Sequence, residues 1–311
     1  MPSIDGTAIR HENKAWSSRS IGSRWQHGFF YALIRLAGRR AAYAFLHLVA
    51  LYYTLFRPSA RDRSRPYLSR RFPGRNPLLR LWDGYRITVE IGKVLVDRAV
   101  FGILGPRQFA VSLDKREDLL ELIREGRGLI LLTAHVGCWQ VAMATLAVLR
   151  TPVSLVVHRE EGDVDRLFFE HRGGEAPYRM IDPDGNLGGV LEMLEVLKRG
   201  EVLCIMGDRS MGGGRSTVSA GFLGGEVQLP FTPYKLASAT GAPVAVIFPY
   251  KSGPRSYALQ VSEVIRVPEN LGRGPDAYRP YAERFARALE GFTGERPYQY
   301  FNFFDVWEPK R

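Results

Sequence analysis

The sequence predicts an α/β protein, a mostly parallel central sheet flanked by helices, with an N-terminal helical arm ahead of it. Three observations carry this reading. Short apolar runs such as Leu129-Ile130-Leu131-Leu132-Thr133 and Val202-Leu203-Cys204-Ile205-Met206 alternate with segments of helical periodicity. The runs are apolar at every position, as strands covered by helices on both faces must be. Charge is also segregated: of a net +11 over 311 residues, residues 1–80 hold 15 Lys or Arg against Asp5, Glu12 and Asp62, leaving the rest close to neutral.

The basic quarter interleaves arginines with apolar runs. Phe29 to Ile34 is one run; Ala41 to Phe56 is another, flanked by Arg39, Arg40 and Arg57 with His47 inside it. A bilayer span takes about 20 apolar residues, so the second run is short for one. The pattern predicts an arm lying on an anionic membrane surface, its Trp and Tyr rings at headgroup depth and its arginines on lipid phosphates. A buried helical hairpin with a basic rim is the other reading of the same residues. No small-residue cleavage site follows the apolar core, which argues against a removable signal peptide. Nucleic acid is not an expected partner: no zinc-finger, RNA-recognition or helix-turn-helix signature accompanies the arginines. The positive field also suits an acidic carrier protein.

Residues 1–75 are therefore assigned to a basic, apolar, membrane-associating arm and 76–311 to an α/β domain. Arg61 to Pro77, rich in Pro and Arg, reads as the linker between them. Asn76 to Phe101 has the spacing of a long amphipathic helix. Asp114 to Glu125 is helical and stopped by Gly126, Leu129–Thr133 is a strand, and Val141 to Leu149 is a helix. Val153 to Val157 is a strand, Leu187 to Lys198 a helix closed by Gly200, and Val202–Met206 a strand. Tyr234 to Thr240 is a short helix ended by Gly241, Val244 to Phe248 a strand, and Ala277 to Leu289 a late helix. Two cysteines, Cys138 and Cys204, are too few for a disulfide framework or a four-thiolate metal site.

In open α/β sheets ligands bind at the carboxyl ends of strands, which directs attention to two segments. After the first buried strand comes His135-Val136-Gly137-Cys138-Trp139-Gln140, a histidine at a strand end followed by a glycine turn and a helix start. Imidazole titrates near neutral pH and suits a general base. The other five histidines lack this combination. After the second strand comes Gly207-Asp208-Arg209 and a glycine-rich loop, a polar mouth for anionic or hydroxyl-bearing ligands. No P-loop or GxGxxG motif is present, so nucleotide readings have no support. Gly221-Phe222-Leu223-Gly224 closes over an apolar ligand or turns a hairpin. The aromatic stretch Tyr298–Trp307 packs the core or lines an apolar groove.

The order His135…Gln140, Arg172-Gly173-Gly174, Gly207-Asp208-Arg209, Gly221-Phe222-Leu223-Gly224 and Leu236 to Val244 resembles the lipid A late-acyltransferase family, the lauroyl- and myristoyl-transferase relatives within the lysophospholipid acyltransferase group. The ending Tyr298–Trp307 is similar to the branch found with aryl-polyene-type pathways. The resemblance spans about residues 76–290 and includes a short N-terminal membrane helix. It implies a bacterial enzyme on the cytoplasmic face of the inner membrane that needs no cofactor or metal. The reaction it implies is transfer of a fatty acyl group from an acyl carrier protein, or acyl-CoA, to a hydroxyl of a membrane lipid or glycolipid. His135 would be the general base. Arg172, Arg209 and Arg159 would contact substrate phosphate or the oxyanion, and Phe222 and Gly224 the acyl chain.

One departure matters. The family carries an acid five residues after the histidine, where this chain has Gln140. An amide can orient the imidazole but brings no charge, and the corresponding exchange in serine-hydrolase triads lowers turnover by about 10⁴. Three readings follow: Asp208 supplies the carboxylate from the neighbouring strand end, Gln140 suffices for a slow enzyme, or the site is degenerate and the protein binds lipid without turnover.

Overall fold

A computed structural model describes residues 24–143, 146–157, 178–183, 189–209 and 216–307. The chain enters through α1 (Arg24–Phe56), broken at Gly38, where φ is 75° and ψ 178°. A residue with a Cβ is strained in that conformation, so α1 is two helical segments, the second opening at Arg39-Arg40. No helix among the described residues is long and apolar enough to cross a membrane. The segment expected as a linker is instead folded: α2 (Pro58–Arg61), a 3₁₀ turn at Asp62–Ser64, and α3 (Arg65–Arg71) with Tyr67 and Leu68 buried. Pro58 and Pro66 sit in first helical turns, where a missing N–H costs nothing. The prolines start helices here rather than breaking them. The long helix α4 (Pro77–Leu104) is capped by Asn76, whose side chain accepts from the Leu79 N–H at 2.9 Å. The second half of α1 runs antiparallel to α4, with Tyr43 against Asp97, Leu46 against Gly92 and His47 against Tyr85.

The seven-stranded sheet contains β1 (Ala110–Leu113), β2 (Leu129–Thr133), β3 (Val153–Val156), β4 (Arg179–Ile181), β5 (Val202–Met206), β8 (Val244–Gly253) and β9 (Ser256–Ile265), in the order β1-β9-β8-β2-β5-β3-β4. Every neighbouring pair is parallel except β8 with β9. Along β2, Ile130 and Leu132 enter one core while Leu129 and Leu131 enter the other, the alternation that a strand imposes. The first core is closed by α9 (Arg279–Glu295) through Phe285, Leu289 and Phe292, and by α8 (Thr232–Thr240) through Leu236 and Ala237, with α7 (Val190–Lys198) beside them. The second is closed by Leu119 and Leu122 of α5 (Arg116–Arg124) and by Leu146 and Leu149. The helix expected over Val141–Leu149 is divided into α6 (Trp139–Met143) and a 3₁₀ turn at Leu146–Leu149.

The remaining strands, β6 (Thr217–Phe222) and β7 (Gly225–Pro230), form an antiparallel hairpin. Its two-residue turn, Leu223-Gly224, has φ values of 48° and 71°, the two positive angles that match hairpin twist.

One buried charge ties the N-terminal helices to the sheet. Asp97 of α4 is fully buried and accepts from Tyr43 of α1 at 2.5 Å, Tyr257 of β9 at 2.5 Å and Lys251 Nζ of β8 at 2.6 Å. Burial pulls the Lys251 pKa down, against the opposing pull of the Asp97 charge. Removing one partner of a buried pair leaves an uncompensated charge, at a cost of about 3–5 kcal/mol. Asp97→Ala is expected to lower the urea midpoint by a corresponding amount, with no change in the slope of the transition.

Candidate active site

Strand register positions the site. Thr133, the last residue of β2, pairs with Met206, the last of β5, and the Gly207 N–H donates to Thr133 O at 2.8 Å. The next side chains of both strands therefore emerge at one mouth. There His135 Nδ1 lies 2.8 Å from Asp208 Oδ1 and 3.1 Å from Oδ2, and the His135 backbone N–H donates to Oδ2 at 3.2 Å. A carboxylate only accepts, so the neutral ring carries its proton on Nδ1 and Nε2 is the acceptor. The Asp208 side chain has no exposure, whereas that of His135 is 22% exposed. Burial pushes the Asp208 carboxyl up. The His135 charge and hydrogen bonds, with the Arg209 guanidinium, outweigh it and hold the carboxyl below its ordinary value.

The turn beyond His135 is tight. The Val136 N–H donates to Ala134 O at 2.7 Å, and Gly137 has φ 51° with its backbone against β8. A Cβ on Gly137 would stand 2.1 Å from Pro249 O, so no other residue fits.

Gln140 is buried in the first turn of α6, where its Oε1 accepts from Cys138 Sγ at 3.6 Å; the carboxylate on His135 Nδ1 is that of Asp208. Both cysteines are buried, and neither is in a disulfide. Arg209 is buried too: it donates to Phe301 O at 2.5 Å, stands 3.7 Å from Asp208 Oδ2 and lies over the Phe304 ring at 4.9 Å. Burial lowers its pKa, and the Asp208 charge opposes that. Phe222 is buried and stacks on Trp307 with ring centroids 5.8 Å apart. With Asp208, Val227, Leu229, Leu289 and Tyr300 it lines an otherwise apolar cavity of about 10 Å³, no more than one water needs. Gly224 is exposed at the hairpin tip. Arg159 and Arg172 lie outside the described residues.

Sequence reasoning missed the backbone support of the site. Residues Gln299–Phe301 run beside the His135 turn: the Gly137 N–H donates to Gln299 O at 3.1 Å, the Phe301 N–H donates to His135 O at 2.8 Å, and Val136 bridges Tyr300. No motif announces this segment. Its only signal was the aromatic density of Tyr298 to Trp307.

A mostly parallel sheet with a histidine–carboxylate pair at adjacent strand ends defines an α/β protein whose strand-end site can carry acid–base chemistry. The chain belongs to the bacterial lipid A biosynthesis acyltransferase family, whose model matches residues 11–308. The family transfers acyl groups in lipid biosynthesis. No curated protein matches the chain.

The depressed carboxyl makes a prediction about acid stability. Asp208 stabilises the fold above the ordinary carboxylate pKa of about 3.9. That contribution is lost as the pH falls through the lower value of the folded state. In thermal melts across this range, Asp208→Asn is expected to flatten the acid limb, whatever its stability at neutral pH.

Proposed function

We propose that the protein transfers a fatty acyl group from the thioester of an acyl carrier protein, or of coenzyme A, to a hydroxyl of a membrane lipid or glycolipid. His135 Nε2 takes the proton from the acceptor hydroxyl as its oxygen attacks the thioester carbonyl. The tetrahedral oxyanion collapses to the ester, and the leaving thiolate takes the proton back from the imidazolium. Asp208 holds the ring by Nδ1 and offsets the charge that develops on it. The observation that carries this reading is the 2.8 Å contact of His135 Nδ1 with a fully buried carboxylate. Gln140 belongs to the Cys138 turn in this scheme. Arg172 and Arg159 contact substrate phosphate or the oxyanion, and the Phe222–Gly224 turn lies along the acyl chain.

Residues 1–75 serve as the membrane-associating arm, at the cytoplasmic face of the bacterial inner membrane. Its support is an exposed apolar face on the helices: Leu48, Leu51 and Leu55 of α1 share one stripe, and Trp82, beside Leu78 and Leu79 of α4, stacks on the Tyr85 that meets His47. Leu48 is 63% and Trp82 52% exposed. Arg80 on α4, Arg57 just beyond the end of α1 and Arg63 in the 3₁₀ turn are exposed, as an interfacial helix pair on anionic lipid requires.

With labelled acyl donor and lipid acceptor, Asp208→Asn is expected to cut turnover by about 10⁴, the cost of removing the carboxylate behind a catalytic histidine. Gln140→Ala is expected to cost far less, and small, equal effects of the two changes would overturn the Asp208 assignment. On vesicles, binding is expected to require anionic lipid, to weaken with salt, and to fall in a Leu51→Ser/Trp82→Ser variant. Equal binding to neutral vesicles would argue against the surface.

A further inference from the structure

We propose that Gln299 is a positioning residue for the His135 imidazole, acting through a strap of three residues, Gln299-Tyr300-Phe301, that holds the backbone of the His135 turn. This rests on His135 being the base of the acyl transfer proposed above.

The turn needs an external partner. Pairing of β2 with β8 ends at Leu132 and Val246, yet the chain continues over Pro249 before α6 begins. The His135 carbonyl and the Gly137 N–H lie beyond that ladder, and the strap takes both, with Phe301 and Gln299 respectively. His135 is thereby gripped from two sides: Asp208 on its ring and its N–H, and the strap on its carbonyl.

The strap in turn is fixed at both ends. Arg209 donates to Phe301 O from beside Asp208. At the other end the Gln299 carboxamide binds the backbone of Lys251 twice, Oε1 accepting from the Lys251 N–H at 2.8 Å and Nε2 donating to the Lys251 carbonyl at 3.0 Å. Lys251 pairs with Tyr257 on its β9 side, next to the register shift near the end of β8. The side chain of Gln299 thus completes the outer edge of β8 as one more strand residue would. The amide offers a donor and an acceptor together in that geometry; an ionised carboxylate has no donor and an aliphatic chain has neither. Proton transfer from the acceptor hydroxyl to the imidazole is steeply sensitive to ring placement.

The test uses the full-length protein in detergent with Gln299→Leu and Gln299→Glu. Arg284→Ala serves as a stability control, because it breaks a 2.6 Å ion pair to Glu263 away from the strap. Two quantities are read: kcat and KM for acyl transfer from an acyl thioester, and the His135 ring resonances in histidine-selective NMR, assigned by their loss in His135→Ala. Gln299→Leu is expected to lower kcat at least about tenfold, the scale of a sub-ångström misplacement, with KM little changed and the His135 resonances shifted or broadened. Gln299→Glu, compared with the wild-type protein at each pH, is expected to approach it in both as the pH falls and the carboxyl recovers its donor. Should Gln299→Leu fail to fold, the pH course of Gln299→Glu decides the question. A Gln299→Leu protein that loses no more kcat than Arg284→Ala, or a Gln299→Glu protein without pH-dependent recovery, overturns the proposal. If the wild-type protein transfers no acyl group, the acyltransferase reading fails, and the ring resonances alone still decide the strap.

Discussion

A carboxylate with no access to water dictates the architecture of this site. An isolated ionised carboxyl in a protein interior would sooner take up a proton than stay charged. Asp208 is held charged because an imidazole, a backbone N–H and a guanidinium converge on it. That convergence depends on β2 and β5 being immediate neighbours in register. A one-residue slip would turn Asp208 to the opposite side of the sheet. The continuous apolar strands, the glycine after Met206 and the glycine after Val136 all serve the same requirement, bringing three polar groups together where water is excluded.

The glutamine at position 140 is intelligible in these terms. A side chain in the first turn of α6 reaches the His135 region by spanning the Cys138 turn, and here it accepts from the thiol of that turn. The carboxylate instead comes from across the sheet, on a strand end whose position is fixed by the ladder. In the reaction proposed, this is the better anchored source of charge: the end of β5 is held against β2 up to Thr133 and Met206 and by the Gly207 N–H on Thr133 O, whereas the start of a five-residue helix is held by its turn. Arg209, expected from sequence to meet substrate, lies behind Asp208 and binds the strap carbonyl.

The parts of the fold legible in the sequence were those where one local rule acts alone. Strands β2 and β5 are buried on both faces, so their apolar runs end where the strands end. His135 stood out because strand end, glycine and helix start coincide. By contrast, β9 mixes Ser, Gln and Glu with apolar residues, since parts of the strand are only half buried, and β1 and β4 are too short to carry a pattern. The prolines of the supposed linker were misread because proline breaks a helix interior but favours its first turn. The strap was invisible for a different reason: its role lies in main-chain hydrogen bonds made by residues more than 150 positions away from His135, and any side chains would do for those bonds except at Gln299.

The same physics joins the N-terminal helices to the chemistry. Tyr43 of α1 and Lys251 of β8 meet on one buried carboxylate, Asp97, and the backbone of Lys251 carries the Gln299 amide that secures the strap. An appendage held by a flexible tether would leave the distance between its apolar face and the histidine undefined. Here a buried ion pair and two tyrosine hydroxyls fasten the helices to the sheet, so the exposed leucine face and the His135 mouth belong to one unit. In the function proposed, a protein built this way and seated on a bilayer by that face would present His135 at a set height above the headgroups. An acceptor hydroxyl anchored by its own acyl chains would then reach the imidazole along one coordinate instead of three, which would lower the entropic part of the proposed barrier before any proton moves.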